Sequence, residues 1–421
     1  MTTFYLTADR LFDGTGTSTI VRPTVKVVDG RIESVERGLL PPATCSGERH
    51  DFPGCTILPG FIDTHVHLIF SAMPTREEII AQVTSESDEQ LLARALGNAR
   101  AALSAGITTV RDCGGKNRLV QQARDLIRSG QAEGADILAC GGPITTTTGH
   151  CHWLGLIADS YTEVGQAAER MLDEDADFLK IMATGGNMTA SSDPMQAQYD
   201  AASLQLVADI GRKAGKHAAA HVLSRAALPA VIAANYRTVE HCDWRVEEFR
   251  YEFNPELCRR MIDQQQYAGL TMSGLARRAF VPQARTHPSP ATKRLDIRFA
   301  CERQMIEFGV QYTLHTDAGV MLTPIQQFAT GMRAAALELR LTPAEVLTAI
   351  TRTAAQALSL ADRGIVAAGK RADLVIVEGN PLQDVAALEN VRAVMKEGKW
   401  FSTRSPTATK GGPRASHRQS T

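Results

Sequence analysis

The sequence predicts an α/β protein: a (β/α)8 barrel of the TIM type with a small β-sandwich accessory domain built from both chain ends. Three observations predict it. Short apolar runs alternate with longer amphipathic stretches across residues 59–361. Strand-like alternation fills residues 1–58 and returns at 362–401, and titratable side chains stand at the ends of the apolar runs. A chain of 421 residues holds a barrel of about 250 residues or more together with an accessory domain.

Residues 1–58 read as short strands. FYLTADRLF comes first, then TVKVVDGRIESVER with the hairpin signal Asp29-Gly30 at its centre, then the apolar approach to Pro59-Gly60. The apolar runs that follow are GFIDTHVH from Gly60, ITTVRDCGG from Ile107, ADILACGG from Ala135, DFLKIMATGG from Asp177, KHAAAHVL from Lys216, RTVEHCDW from Arg237, YAGLTMSG from Tyr267 and QYTLHTDAG from Gln311. Between them lie stretches such as SDEQLLARALGNARAALSAG, TEVGQAAERMLDED and DAASLQLVADIGRKAG, with apolar residues at helical spacing. Two of these end in Ala-Gly, where a left-handed helix cap is wanted. Eight strand–helix units in series predict a closed parallel barrel with functional groups at the C-terminal strand ends. RADLVIVEG and VRAVMKEGKWF then restore strand character. Because two strands alone are marginal, they are expected to pair with the N-terminal ones. The polar stretch 402–421 is expected to be a disordered tail.

Composition narrows the function. Lys and Arg number 45 against 46 Asp and Glu, so no field argues for nucleic acid or an anionic membrane, and a small-molecule substrate is expected. No apolar run approaches the roughly 18 to 20 residues of a spanning helix, and the N-terminus lacks the basic and apolar regions of a signal peptide. A cytoplasmic protein is expected. The eight scattered cysteines form no CxxC pair and read as reduced core thiols.

The chemistry gathers at the strand ends. In a strand, Asp63, His65 and His67 share one face, which places two imidazoles side by side. Later strands add Lys180, His221, His241 and Asp317, each after an apolar run and before a loop. Neutral imidazoles with an anionic carboxylate suit zinc or a similar borderline metal; iron, manganese and cobalt fit the same donors. An ammonium at Lys180 would repel such an ion. Carbamylation by CO2 turns it into an anion with two oxygens, able to bridge two metals, so the lysine argues for a binuclear centre.

The order HxH, Lys, His, His, Asp across eight strands resembles the amidohydrolase superfamily of metal-dependent hydrolases. LPGFIDTHVH, DFLKIMATGG, VEH and TDAG are similar to the group of prolidase-like, arginine or lysine carboxypeptidase-like, ochratoxin amidase and phenylurea hydrolase enzymes. This resemblance implies two divalent ions, with His65, His67 and Asp317 on one, His221 and His241 on the other, and carbamylated Lys180 between them. It also implies hydrolysis of a linear C–N bond in an amide, urea or carbamate, such as an N-acyl amino acid, dipeptide or aryl urea. The same resemblance implies that hydroxide bridging the metals would attack, that Asp317 would carry the proton, and that the enzyme would be a homo-oligomer.

Lesser signals surround this set. His150, in PITTTTGHCHW, matches a Gly-His by which related peptidases hold substrate; a solvated loop histidine is the plain alternative. His152 beside it carries less. His217 and His315 share strand parity with His221 and Asp317 and are expected to face inward, as hydrogen-bonded core histidines. Asp63 and Asp112 read either as groups orienting the imidazoles or as buried acceptors. Gln198 and Tyr199 are candidate pocket residues, and Arg277 and Arg278 candidate partners of a substrate carboxylate. Leu223 stands where peptidases of the group place a tyrosine, which moves the expectation toward apolar amides, ureas or carbamates. A mononuclear deaminase on the same barrel is the alternative. Such enzymes carry a glutamate shortly after the strand-five histidine, whereas Ser224 and Arg225 follow here. A non-catalytic scaffold would have lost ligands, and all six are present.

Overall fold

The structure is a computed structural model, described here for residues 2–39, 46–274, 279–280 and 289–401. The expected tail at 402–421 and the candidates Arg277 and Arg278 lie outside the described residues. All eight apolar runs form parallel strands. Phe61–Val66, Ile107–Asp112 and Asp136–Ala139 make one sheet in that order. Leu179–Met182, Ala218–His221, Thr238–Glu240, Tyr267–Thr271 and Tyr312–His315 follow one another in a seven-stranded sheet. Two short strands absent from the sequence reading, Ile144–Thr145 and Leu156–Ile157, complete that sheet's edge.

The two sheets meet at both margins. On one side Asp317 donates its backbone N–H to the carbonyl of His65 at 3.0 Å, Val66 bridges Ala318, and the Thr64 and Thr313 hydroxyls stand 3.0 Å apart. On the other, Asp177 N–H reaches the Ala139 carbonyl at 2.8 Å, and the Asp177 carboxylate accepts from Ala139 N–H at 2.9 Å. The residues of Phe61–Val66, Ile107–Asp112 and Ala218–His221 are all buried, as expected of parallel strands covered on both faces, and the polar ones among them must find partners inside.

The intervening helices start where their caps say. Ser87 and Ser160 close capping boxes with Gln90 and Glu163 at the heads of Asp88–Ser104 and Tyr161–Asp173, and Asp200 caps Ala201–Lys213. Two of them stop at Gly106 and Gly215, with φ +86° and +69°, the left-handed conformation that the Ala-Gly endings call for.

Both chain ends join one eight-stranded sheet. Its order is Lys399–Phe401, Val391–Lys396, Leu374–Glu378, Glu48–Pro59, Thr3–Leu11, Thr24–Val28 and Arg31–Glu36, with Ile20–Val21 paired onto Thr3–Leu11. The expected sandwich thus takes the form of one hydrogen-bonded sheet. Asp29 and Gly30, at φ 45° and 82°, turn between two of its strands. Leu6, Val25, Ile57, Leu374 and Met395 give this sheet a core of its own. The seven described cysteines are free and buried, and no helix among the described residues is long and apolar enough to cross a membrane.

Candidate metal centre

Four imidazoles converge at the C-terminal strand ends. Ring centroids lie 5.4 Å apart for His65 and His67, 5.1 Å for His65 and His241, and 4.7 Å for His221 and His241. All four rings are buried, as is Lys180, whose charge reaches His65, His221 and His241. The Asp317 Oδ1 stands 3.6 Å from His65 Nε2 and 3.4 Å from His67 Nε2. His241 and Asp317 sit at φ 63° and 57°.

Each ring has one nitrogen engaged by the protein. His65 Nδ1 meets Glu240 Oε2 at 2.9 Å, His67 Nδ1 meets the Gly114 carbonyl at 3.2 Å, His241 Nδ1 meets Thr271 Oγ1 at 2.6 Å, and His221 Nε2 meets the Gly185 carbonyl at 3.2 Å. A carbonyl or carboxylate partner requires N–H on that side, which leaves the opposite nitrogen with its lone pair. Burial, together with the Lys180 charge and neighbouring rings, pushes His65, His221 and His241 well below the ordinary imidazole value. His67 goes the other way: burial lowers it, but hydrogen bonding to Asp317 and the charge of that carboxylate raise it above the ordinary value. Neutral rings, with the tautomers of His65 and His221 fixed, are what metal ligation needs.

The carboxylate fits the same role. Burial favours the neutral form of Asp317, but hydrogen bonding to His67 and the charges around it win, so it titrates below the usual range. Its Oδ1 is buried and faces the His65 and His67 rings, at 3.6 and 3.4 Å. His65, His67 and Asp317 each offer a donor atom, and these atoms lie within 4.8 Å of one another. The donor set present here therefore fits a divalent cation.

Two residues that the sequence reading passed over complete the site. Glu240, fully buried, is held by Arg111 Nη2 at 2.5 Å, while Arg111 Nε donates to the Thr64 carbonyl at 2.7 Å and Nη1 to Thr238 Oγ1 at 2.9 Å. Burial alone would raise the Glu240 carboxyl; Arg111 brings it down to about 2. The signal was a glutamate and an arginine inside otherwise apolar strands, VEH and TTVRDC, where neither charge is stable without the other.

The remaining candidates divide clearly. Asp63 accepts from Thr316 N–H and Oγ1 at 3.2 and 2.5 Å, and Asp112 from Leu68 and Gly114 N–H at 2.6 and 3.0 Å. Both are buried acceptors that fix the turns carrying His67 and Asp317; burial lifts them to about 7 and about 6. His315 is buried and stacked on His65 at 4.8 Å. His217, expected to face inward, is exposed, with its Nε2 2.6 Å from Ser359 Oγ, because the strand begins only at Ala218.

His150 is buried with its ring 4.4 Å from His221 and its Nδ1 without a partner. His152 turns its Nδ1 to the Gly149 carbonyl at 3.1 Å. Gln198 is taken up internally: its amide donates to the Met182 carbonyl at 2.8 Å and accepts from His150 N–H at 2.7 Å. The Tyr199 hydroxyl donates to the Ala158 carbonyl at 2.9 Å. Leu223, half-buried, donates its backbone N–H to Thr184 Oγ1.

Residues 56–401 match the amidohydrolase family. Ochratoxinase of Aspergillus niger is 24% identical over 336 residues, a match spanning 71% of this chain and 66% of that protein's length. Its crystal structure superposes with a TM-score of 0.80 at 21% identity, covering 95% of each chain. Imidazolonepropionase of Deinococcus radiodurans is 27% identical over 352 residues, 80% of this chain and 81% of that one. The crystal structure of a Xaa-Pro dipeptidase with bound methionine gives a TM-score of 0.81 at 24% identity, over 95% of this chain and all of that one. The fold is thus of the TIM-barrel type, and the chain belongs to the amidohydrolase family.

Proposed function

We propose that this chain is a metal-dependent amidohydrolase that cleaves a linear C–N bond in an amide, urea or carbamate. The observation that carries the reading is the convergence of four buried imidazoles, each with one nitrogen bound by the protein, on one cleft end where the second nitrogens of His65 and His67 stand 3.6 and 3.4 Å from Asp317 Oδ1. In this reading the two parallel sheets close into one barrel. His65, His67 and Asp317 would hold one divalent ion and His221 and His241 a second, and Lys180, as its carbamate, would add an anionic ligand. Divalent ions held there lower the pKa of water and polarise a carbonyl.

The chain's own groups do the rest. Asp317 accepts a proton from the attacking water at its carboxylate and returns it to the departing nitrogen, which cannot leave as an amide anion. Glu240 keeps His65 in a single tautomer, and Thr271 holds the His241 ring in place. His150, with a free Nδ1 beside His221, is placed to hold the substrate, and the buried walls exclude bulk water.

The test is metal content per chain on protein purified without added metal, followed by a hydrolysis screen of N-acyl amino acids, dipeptides and aryl ureas. Close to two metals with C–N cleavage supports the reading. One metal with release of ammonia from a ring substrate supports the mononuclear deaminase instead.

A further inference from the structure

His315 is fully buried beside the four converging imidazoles and belongs to neither ligand group. It ends the strand Tyr312–His315, in register with Thr271 on the neighbouring strand Tyr267–Thr271. Its ring stacks on His65 at 4.8 Å and 20° and stands 5.9 Å from the His241 ring. Gly269 provides the room: a Cβ there would lie 3.0 Å from His315 Nε2 and 3.1 Å from Glu240 Oε2. The His315 Nδ1 is buried without a hydrogen-bond partner, so that nitrogen imposes no tautomer on the ring.

The other nitrogen is engaged. His315 Nε2 lies 3.3 Å from Thr271 Oγ1, and the same oxygen lies 2.6 Å from His241 Nδ1. These two ring nitrogens are the hydroxyl's only hydrogen-bond partners among the described residues. The Glu240 carboxylate at His65 and the Gly185 carbonyl at His221 can only accept, so each fixes the proton of its ring. A hydroxyl can accept or donate, so Thr271 by itself fixes nothing at His241.

The direction of one proton therefore decides the state of His241. When Thr271 donates to His315 Nε2, its oxygen accepts from His241 Nδ1–H, and the opposite nitrogen of His241 keeps its lone pair for a cation. When Thr271 donates to His241 Nδ1, the His241 proton moves to the opposite nitrogen and ligation there is blocked. Glu240 Oε2, at 4.0 Å from His315 Nε2, is outside hydrogen-bond reach and does not demand a proton on that nitrogen.

We propose that His315 is a positioning residue that sets the tautomer of His241 through the Thr271 hydroxyl. His315 Nε2 accepts the hydroxyl proton, and its Nδ1 carries the ring's own. The proposal deepens the amidohydrolase reading, on which its consequence for metal binding rests.

The test starts with the metal-free full chain carrying isotopically labelled histidine nitrogens, whose long-range proton–nitrogen spectra show which nitrogen of each ring is protonated. The His241 signals are identified by their loss in His241→Gln. Wild-type His241 is expected to be protonated on Nδ1. His315→Phe keeps a ring stacked on His65 and removes the acceptor, so it should give the other tautomer or a mixture. Thr271→Val breaks the same link from its other end and should do likewise. A His241 that stays protonated on Nδ1 in both variants overturns the proposal, as does a wild-type His241 protonated on Nε2.

Zinc competition against a chelator reads the consequence. His315→Phe should weaken the ion held by His241 about 10- to 100-fold. His315→Gln, whose amide oxygen can accept from Thr271, should recover part of that loss. Adding His315→Phe to Thr271→Val should change zinc affinity little further, and additive losses overturn the route through the hydroxyl. If the wild-type chain takes up no divalent ion, the amidohydrolase reading fails, and the spectra of the metal-free protein still decide the tautomer.

Discussion

His65 Nδ1 lies 2.9 Å from Glu240 Oε2, joining a strand-one imidazole to a strand-six carboxylate across the barrel interior. The opposite oxygen of Glu240 is held by Arg111, so three strands fix one ring. Glu240→Gln preserves the shape and weakens the hold on the N–H tautomer. It should lower divalent-metal affinity about 10- to 100-fold with little loss of secondary structure. Chelator competition on the folded variant measures this. Glu240→Ala also strands Arg111 in the core and should cost about 3–5 kcal/mol in thermal unfolding. If Glu240→Gln binds metal like the wild type, Glu240 is an ion-pair partner of Arg111 and nothing more.

Asp317→Asn separates proton transfer from ligation. The amide keeps an oxygen donor but cannot carry a proton, so turnover should fall about 10²- to 10⁴-fold while most of the metal remains. Lys180→Ala should instead lose metal, with small carboxylic acids restoring part of both metal and activity. A wild-type rate in the asparagine variant removes Asp317 from the proton path. Unchanged metal stoichiometry in the alanine variant argues against the lysine bridge.

The barrel strands were legible because a parallel strand buried on both faces reads as a short, mostly apolar run, and each of the eight runs forms a parallel strand. The convergence of His65, His67, His221, His241 and Asp317 followed from their places at the ends of those runs. Glu240 and Arg111 were missed because they look like isolated charges in sequence; only the barrel's curvature brings strands two and six together. His217 failed for a local reason, since it lies one residue before the first paired position of its strand. The side chains of Gln198 and Tyr199 were beyond reach because loop conformation decides whether an amide faces a pocket or the backbone of Met182.

Gly186 tests the seat of His150. A Cβ at this position would stand 2.4 Å from His150 Nδ1 and Cε1, so Gly186→Ala must displace a buried ring that already touches His221. On the proposed role of His150 in holding substrate, a shift of about 1 Å should cost on the order of 10²-fold in kcat/KM, and overpacking about 1–3 kcal/mol in stability. His150→Ala removes the clash, so adding Gly186→Ala to that background should change kcat/KM little further. Additive losses in the double variant would show that Gly186 acts through something other than His150.

Asp136 ties the barrel to the C-terminal strands and should make their union acid-sensitive. Its carboxylate stands 2.7 Å from Arg363, 2.5 Å from Arg371 and 2.7 Å from Lys396, all supplied by the chain after residue 361. Burial would raise this carboxyl, but Arg371, Lys396 and Arg363 together hold it far below the ordinary range. A carboxyl lowered in the folded state adds stability that is fully present above its unfolded value, near 3.9, and fades as the pH falls below it. Asp136→Asn should therefore lower Tm strongly between pH 5 and 8, by the equivalent of about 3–5 kcal/mol for a broken buried ion cluster. The gap between variant and wild type should then narrow steadily below about pH 4. Thermal unfolding of both proteins across that range reads the difference directly. A gap that holds constant down to pH 3 would mean the three cations find other partners, and that Asp136 contributes through packing instead of charge.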